Sequence, residues 1–175
     1  EFCEMMEFRA TLLHGIEVPA DEEYIAAIED LLASEEVRSM EQYTQHGGTT
    51  CLRHSINVSY LAYRYCKQQG WDAVSAARGG LLHDLFLYDW HDYERKPGER
   101  LHGFEHPRKA LENASRLFTL NETERDVIVR HMFPLTLTPP KTKEAYSVTM
   151  FDKYCSLMET FRRPVLALRL AENPA

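Results

Sequence analysis

Apolar residues recur at three- and four-residue intervals through most of the chain, and glycine, proline and short polar residues interrupt that helical period at a few places. Residues 1–20 are of mixed character and end near Val18-Pro19. Asp21 then suits the N-cap of a run that carries Tyr24, Ile25, Ile28, Leu31 and Leu32 on one face. A second short helix fits Glu35 to Gln45, before His46-Gly47-Gly48 breaks it. These stretches predict a helical lead-in over residues 1–45.

Thr49 or Thr50 caps a long helix that reaches Gln69, with Gly70 as its stop. Asp72 caps the next, which runs through Ala73, Ala76, Ala77 and Leu81 to the pair His83-Asp84. From Tyr88 to Glu105, aromatics alternate with charged residues around Pro97-Gly98, the composition of an exposed functional loop. Pro107 fits the first turn of a helix bearing Ala110, Leu111, Ala114, Leu117 and Phe118. Asn121 opens a short helix through Val127, Ile128 and His131, closed by Phe133-Pro134. A connector containing Pro139-Pro140 leads to a last helix with Val148, Phe151, Cys155 and Met158 on one face. No segment alternates convincingly as a strand. The pattern predicts an all-α, compact multi-helix fold, one domain over 1–175 with its core at 46–162.

Composition narrows the partners. The 175 residues are 44% hydrophobic and carry a formal net charge of -7, so no global basic field is available to collect nucleic acid or an anionic membrane. No apolar run approaches the roughly 20 residues that span a bilayer, and the N-terminal stretch lacks a signal-like pattern. A cytoplasmic protein is expected. Cys3, Cys51, Cys66 and Cys155 form no CxxC pair and read as free thiols.

The candidate chemistry lies in His54, His83, Asp84, His106, His131 and Asp152. His54 leads the stripe Val58, Leu61 and Tyr65, and Asp84 follows Ala77, Gly80 and Leu81. His106 stands one turn before Ala110, His131 one turn after Val127, and Asp152 between Val148 and Cys155. All these side chains are expected to face the core. A buried ionised carboxylate costs on the order of several kcal/mol unless paired. Two of them beside four histidines call for divalent metal. Gly79 and Gly80, each costing roughly 1 kcal/mol in a helix relative to alanine, are read as a place of close backbone approach.

The order of these ligands, within the segments Thr50-Cys51-Leu52-Arg53-His54, Arg78-Gly79-Gly80-Leu81-Leu82-His83-Asp84, Gly103-Phe104-Glu105-His106-Pro107 and Asp152-Lys153-Tyr154, resembles the HD-domain metal-dependent phosphohydrolase superfamily. The resemblance implies a primary site of His54, His83, Asp84 and Asp152, with Asp84 bridging to a second metal completed by His106 and His131. It implies two divalent ions, iron or manganese first, with zinc, nickel, magnesium or cobalt compatible. The activity it implies is hydrolysis of a phosphoester by metal-activated water, on a small phosphorylated substrate with a nucleotide as the default. Di-iron oxygen chemistry and a noncatalytic metal or ligand sensor are the alternatives.

Cations next to the ligands in sequence, namely Arg53, Arg78, Arg108, Lys109 and Arg130, are candidates for binding phosphate, and Asp84, His91 and Lys153 are the candidate catalytic residues. Many members of the superfamily carry Lys three residues after the His-Asp pair. Here that position is Leu87, and His91 in the aromatic loop is the candidate substitute acid. The Gly-Tyr-Pro signature of the cyclic-dinucleotide branch is missing.

Overall fold

The computed structural model describes residues 7–88 and 102–170. The chain opens on strands β1 (Glu7–Leu13) and β2 (Ile16–Pro19), followed by helices α1 (Glu22–Ala33) and α2 (Glu35–Arg38) and a 3-10 turn at Ser39–Gln42. A small hairpin, β3 (Thr44–His46) and β4 (Thr49–Thr50), leads into α3 (Cys51–Gln69) and α4 (Ala73–Leu82). Helices α5 (His102–Leu117), α6 (Glu122–Arg130) and α7 (Lys143–Thr160) follow, and β5 (Ala167–Leu170) closes the described chain. The fold is helical, with short strands at its margins.

Those strands correct the expectation of none. β1 pairs antiparallel with β2 in the register Ala10 to Pro19 and Leu13 to Ile16, across a turn in which His14 and Gly15 both have positive φ. β5 adds parallel to β1, Glu7 opposite Ala167 and Ala10 opposite Leu170. The lead-in therefore begins as a hairpin, not a helix. Its alternation is hard to read because Leu12, on the face of Ala10, is 63% exposed while Ala10 is fully buried. The helix expected over Glu35 to Gln45 is likewise cut short. After Arg38 it tightens to 3-10 geometry and becomes β3, and the hairpin tip rests on α7, where a Cβ on Gly47 would collide with the Glu159 carbonyl.

Capping followed the polar residues that the sequence offered. Asp21, Thr50, Asp72 and Thr142 each accept a backbone N–H at the third residue beyond them, and Asn121 forms a reciprocal capping box with Glu124. Gly70 ends α3 in the left-handed conformation at φ 68°. Pro107, expected in a first turn, instead sits inside α5, where its missing N–H removes the helical bond to the Gly103 carbonyl. The free thiols Cys51, Cys66 and Cys155 are buried, and Cys3 lies outside the described residues.

Helix α3 is the centre of the molecule, buried from Leu52 through Tyr63 except at Arg53 and packed between α4 and α7. Its approach to α4 is set by Gly80. A Cβ there would stand 2.9 Å from the Ser59 Cα, and one on Gly79 would stand 2.8 Å from the Val127 side chain on α6. Close approach, expected from the two glycines, is what they permit. Ser59 Oγ donates to the Ala77 carbonyl at 2.7 Å and accepts from Tyr24 Oη at 2.9 Å, tying α1, α3 and α4 together. Arg78 joins the same layer to α6: its guanidinium donates to Asp30, to the Ala27 carbonyl and to Glu124.

Gly80→Ala gains about 1 kcal/mol of helix propensity but drives a methyl group into backbone that cannot rotate away. The expected net effect is a loss of about 1–3 kcal/mol, read as a lower midpoint in urea denaturation followed by circular dichroism. Unchanged or higher stability would show that α3 and α4 have room to separate.

Candidate metal centre

The bundle brings together every ligand expected from the sequence. His54 projects from the first turn of α3 and Asp152 from the middle of α7; His106 comes from α5. His83 and His131 occupy the C-cap positions of α4 and α6, and Asp84 follows His83 where the chain leaves the helix. All six are buried: His54 and His83 at 0% exposure, His131 at 1%, Asp84 at 2%, and His106 and Asp152 at 5%.

Asp84 lies at the hinge of two clusters. Its Oδ2 is 3.3 Å from His83 Nε2 and 3.9 Å from His54 Nε2, while its Oδ1 is 3.3 Å from His106 Nε2 and 3.5 Å from His131 Nε2. Asp152 Oδ1 closes the first cluster at 3.2 Å from His54 Nε2 and 3.7 Å from His83 Nε2. Donors held about 2.1 Å from one cation lie roughly 3 to 3.5 Å apart in tetrahedral or octahedral arrangements. Several contacts fall within this range, and three overlapping sets hold one donor atom from each residue within 4.8 Å of the others: His54, His83 and Asp84; His83, His131 and Asp152; Asp84, His106 and His131. His83 Nε2 and Asp84 Oδ1 are, moreover, buried without a hydrogen bond of acceptable geometry. Buried donor atoms left without a hydrogen bond in such a cluster fit a bound cation. The buried cluster indicates divalent metal binding.

The imidazoles are oriented for that role from behind. Nδ1–H of His83 donates to the Gly80 carbonyl at 2.7 Å, and Nδ1–H of His131 to the Ile128 carbonyl at 2.7 Å. A carbonyl can only accept, so each contact places the proton on Nδ1 and directs Nε2 inward. His54 uses a carboxylate: Glu159 Oε2 lies 2.7 Å from its Nδ1, and Asn57 Nδ2 donates to Glu159 Oε1 at 3.0 Å. Sequence reasoning missed Glu159, Asn57 and Gln45. Glu159 was findable as a polar residue two turns beyond Asp152 on the buried face of α7. Gln45, whose Nε2 donates to Asp84 Oδ2 at 2.5 Å, belongs to a strand with no periodic signal.

Charges within the cluster are strongly interdependent. Burial opposes the charged form of His54, yet the carboxylates of Asp152 and Glu159 outweigh it and bring its pKa up to about 9. Burial opposes charge on His83 too, and Asp84 with Asp152 raises it to about 10. Burial and the neighbouring His83 and His106 push His131 down to about 3. Burial would raise Asp84 and Asp152; instead His83 and His106 hold Asp84, and His54, His83 and Lys153 hold Asp152, well below the usual carboxylate range.

Of the remaining candidates, Lys153 reaches the cluster. Its Nζ contacts Asp152 Oδ2 at 2.6 Å and donates to the His131 carbonyl at 3.1 Å, and its side chain is 43% exposed. Arg78, read from the sequence as a candidate for binding phosphate, has its guanidinium on Asp30, Glu124 and the Ala27 carbonyl. Arg130 is held by Asp126 and the Pro139 carbonyl, and Arg108 lies on the surface of α5 between Glu105 and Glu112. Lys109 stacks its ammonium over the Tyr88 ring at 4.9 Å, and Arg53 faces Glu17 across 3.9 Å. Leu87, at the position where many members of the superfamily carry Lys, has φ 61° and packs against the core. His91 lies outside the described residues.

Loading the site with a divalent ion requires neutral imidazoles, so metal must displace protons from His54 and His83 but not from His131. Calorimetric titration of the metal-free chain with manganese at pH 7, repeated in buffers of different ionisation enthalpy, is expected to show release of about two protons per chain. Affinity rises with pH up to the pKa values of these two groups. No proton release would show that they are already neutral.

No curated protein and no solved structure gives a match to this chain. A family model described as HD domain matches residues 51–157, a span that contains all six ligands and more than half of the chain. The ligand order, the helices that deliver it and this match agree, and the chain belongs to the HD-domain family.

Proposed function

We propose that the protein is a metal-dependent phosphohydrolase acting on a small phosphoester, with a nucleotide as the first substrate class to try. The observation that carries this reading is the placement of Asp84. Its two oxygens face separate histidine pairs, the arrangement suited to holding two cations with one bridging carboxylate. Membership of the HD-domain family indicates a metal-dependent hydrolase in general; the phosphoester is our own step.

Bound divalent ions supply a lowered pKa for an attacking water and neutralise charge on phosphoryl oxygens. His54, His83, Asp84 and Asp152 would hold the first ion and Asp84, His106 and His131 the second. The chain's own contribution is orientation. Backbone carbonyls at the ends of α4 and α6 and the Glu159 carboxylate fix imidazoles whose donor atoms already converge, so little reorganisation accompanies binding. Lys153 brings a cation to the border between buried ligands and solvent, where a phosphoryl oxygen can replace part of its contact with Asp152. Arg53 and Lys109 are further candidates for the substrate's phosphate. His91 is the proposed acid for the leaving group, since Leu87 has no proton to give.

The test is phosphate release from a panel of nucleotides and simple phosphomonoesters by chain reconstituted with manganese or iron, with oxygen uptake followed in parallel. Release is expected, without oxygen uptake. Asp84→Ala is expected to lower turnover by about 10³-fold, since it removes a donor from both cation positions. Metal-dependent oxygen uptake without phosphate release would identify an oxygenase instead, and metal binding with neither activity a sensor.

Lys153→Met keeps the length of the side chain and removes its charge. A charge-assisted contact to phosphate is worth about 1.5–3 kcal/mol, so kcat/KM is expected to fall by about 10- to 100-fold with metal content unchanged. Wild-type kinetics in this variant would assign Lys153 to neutralising Asp152 alone.

A further inference from the structure

Gln45 stands out because half of its amide is satisfied and half is not. The residue is 7% exposed, and its Nε2 meets the same Asp84 oxygen that faces His54 and His83. Its Oε1 is buried without a hydrogen-bond partner. A carbonyl oxygen removed from water and left unpaired is costly, and such atoms in native structures call for a specific explanation. Here the orphan oxygen stands beside a cluster whose other orphans, His83 Nε2 and Asp84 Oδ1, are metal donors by position.

The backbone around Gln45 is fixed from two sides. Gly47, at φ 58°, seats the tip of the β3–β4 hairpin on α7 so closely that a Cβ would meet the Glu159 carbonyl. Tyr43 at the other end accepts the Cys51 N–H at 2.7 Å through its carbonyl, which joins the strand to the start of α3. The hairpin thus spans the helices that supply His54 and Asp152. Gln45 enters the site on a braced strand, and its position lies outside the residues matched by the family.

The amide N–H beside Asp84 Oδ2 is an electropositive group where a cation would bring positive charge. Rotation of the amide by half a turn exchanges Nε2 and Oε1 with little change in shape, since the two ends of a glutamine amide are nearly isosteric. We propose that in the metal-loaded protein Gln45 is a further ligand, its Oε1 coordinating the divalent cation held by His54, His83, Asp84 and Asp152. Amide oxygens are suitable donors for hard and borderline divalent ions such as manganese. The exchange breaks the Nε2–H hydrogen bond to Asp84 Oδ2, carries Nε2 to the place that Oε1 leaves, and gives Oε1 the cation as its partner, with Asp84 Oδ2 turned to the same cation. No covalent bond is made or broken. The proposal rests on the metal-dependent reading of the site but not on the identity of its substrate.

The test uses the full chain loaded with manganese and carrying carbon-13 at the glutamine side-chain carbonyl. Electron–nuclear double resonance is expected to show a carbon-13 coupling to manganese that disappears in Gln45→Leu, which leaves Gln42, Gln68 and Gln69 labelled. Manganese affinity is expected to fall about tenfold in Gln45→Leu and to match or exceed wild type in Gln45→Glu, which retains an oxygen donor of the same reach. No coupling in the wild type, or one that persists in Gln45→Leu, would overturn the proposal whether or not the variants fold. Equal weakening in both variants would also overturn it, by showing that Gln45 serves through its N–H to Asp84. A folded wild-type chain that takes up no manganese would overturn the metal-dependent reading itself, and the proposal with it.

Discussion

Two carboxylates taken out of water set the terms for the rest of the structure. Asp84 and Asp152 are buried at 2% and 5% exposure, and each would cost several kcal/mol if left uncompensated. Around them the chain gathers His54, His83, His106 and His131, with Lys153 at the border. Their low pKa values and the raised values of His54 and His83 are two views of the same attraction. In the metal-free state protons on the imidazoles carry the compensating charge. Divalent ions can take over that role only by displacing those protons, which makes proton release and metal binding one event.

Precision in this cluster comes from the ends of helices. His83 and His131 sit just after the last turns of α4 and α6, and each returns its Nδ1–H to the carbonyl three residues earlier. One contact satisfies a carbonyl that the helix leaves unpaired, fixes the tautomer and aims the other nitrogen inward. His54 lies near a helix N-terminus, where such carbonyls do not occur, and takes Glu159 instead. The close contact of Gly80 with Ser59 places the end of α4 beside α3, so the geometry of the site is continuous with the packing of the bundle.

The cations that looked alike in sequence separate into distinct physical roles. Arg78 and Arg130 neighbour ligands along the chain, but their guanidinium groups join helices to helices and to a connector. A helix turns about 100° per residue, so a residue adjacent to an inward ligand generally points elsewhere. Lys153 is the exception. Its long flexible side chain folds back over Asp152 and the end of α6, a path that adjacency alone could not reveal.

The helical period and the capping residues were legible because they are local. Asp21, Thr50, Asp72, Asn121, Thr142 and Gly70 act within one turn of themselves, and the faces bearing His54, His106 and Asp152 follow from spacing along single helices. The six clustered residues stood out as a set through their order along the chain and the resemblance it carries. Strand β5, by contrast, pairs with β1 across nearly the whole chain, and Gln45 meets Asp84 across 39 residues. Such pairings exist only once the bundle is assembled, because their energy depends on partners that the local sequence does not contain. The sequence alone thus determined which donors the protein possesses and which helices carry most of them. The tertiary structure decided which donors converge, which polar groups hold them from behind, and which nearby cations are spent on packing.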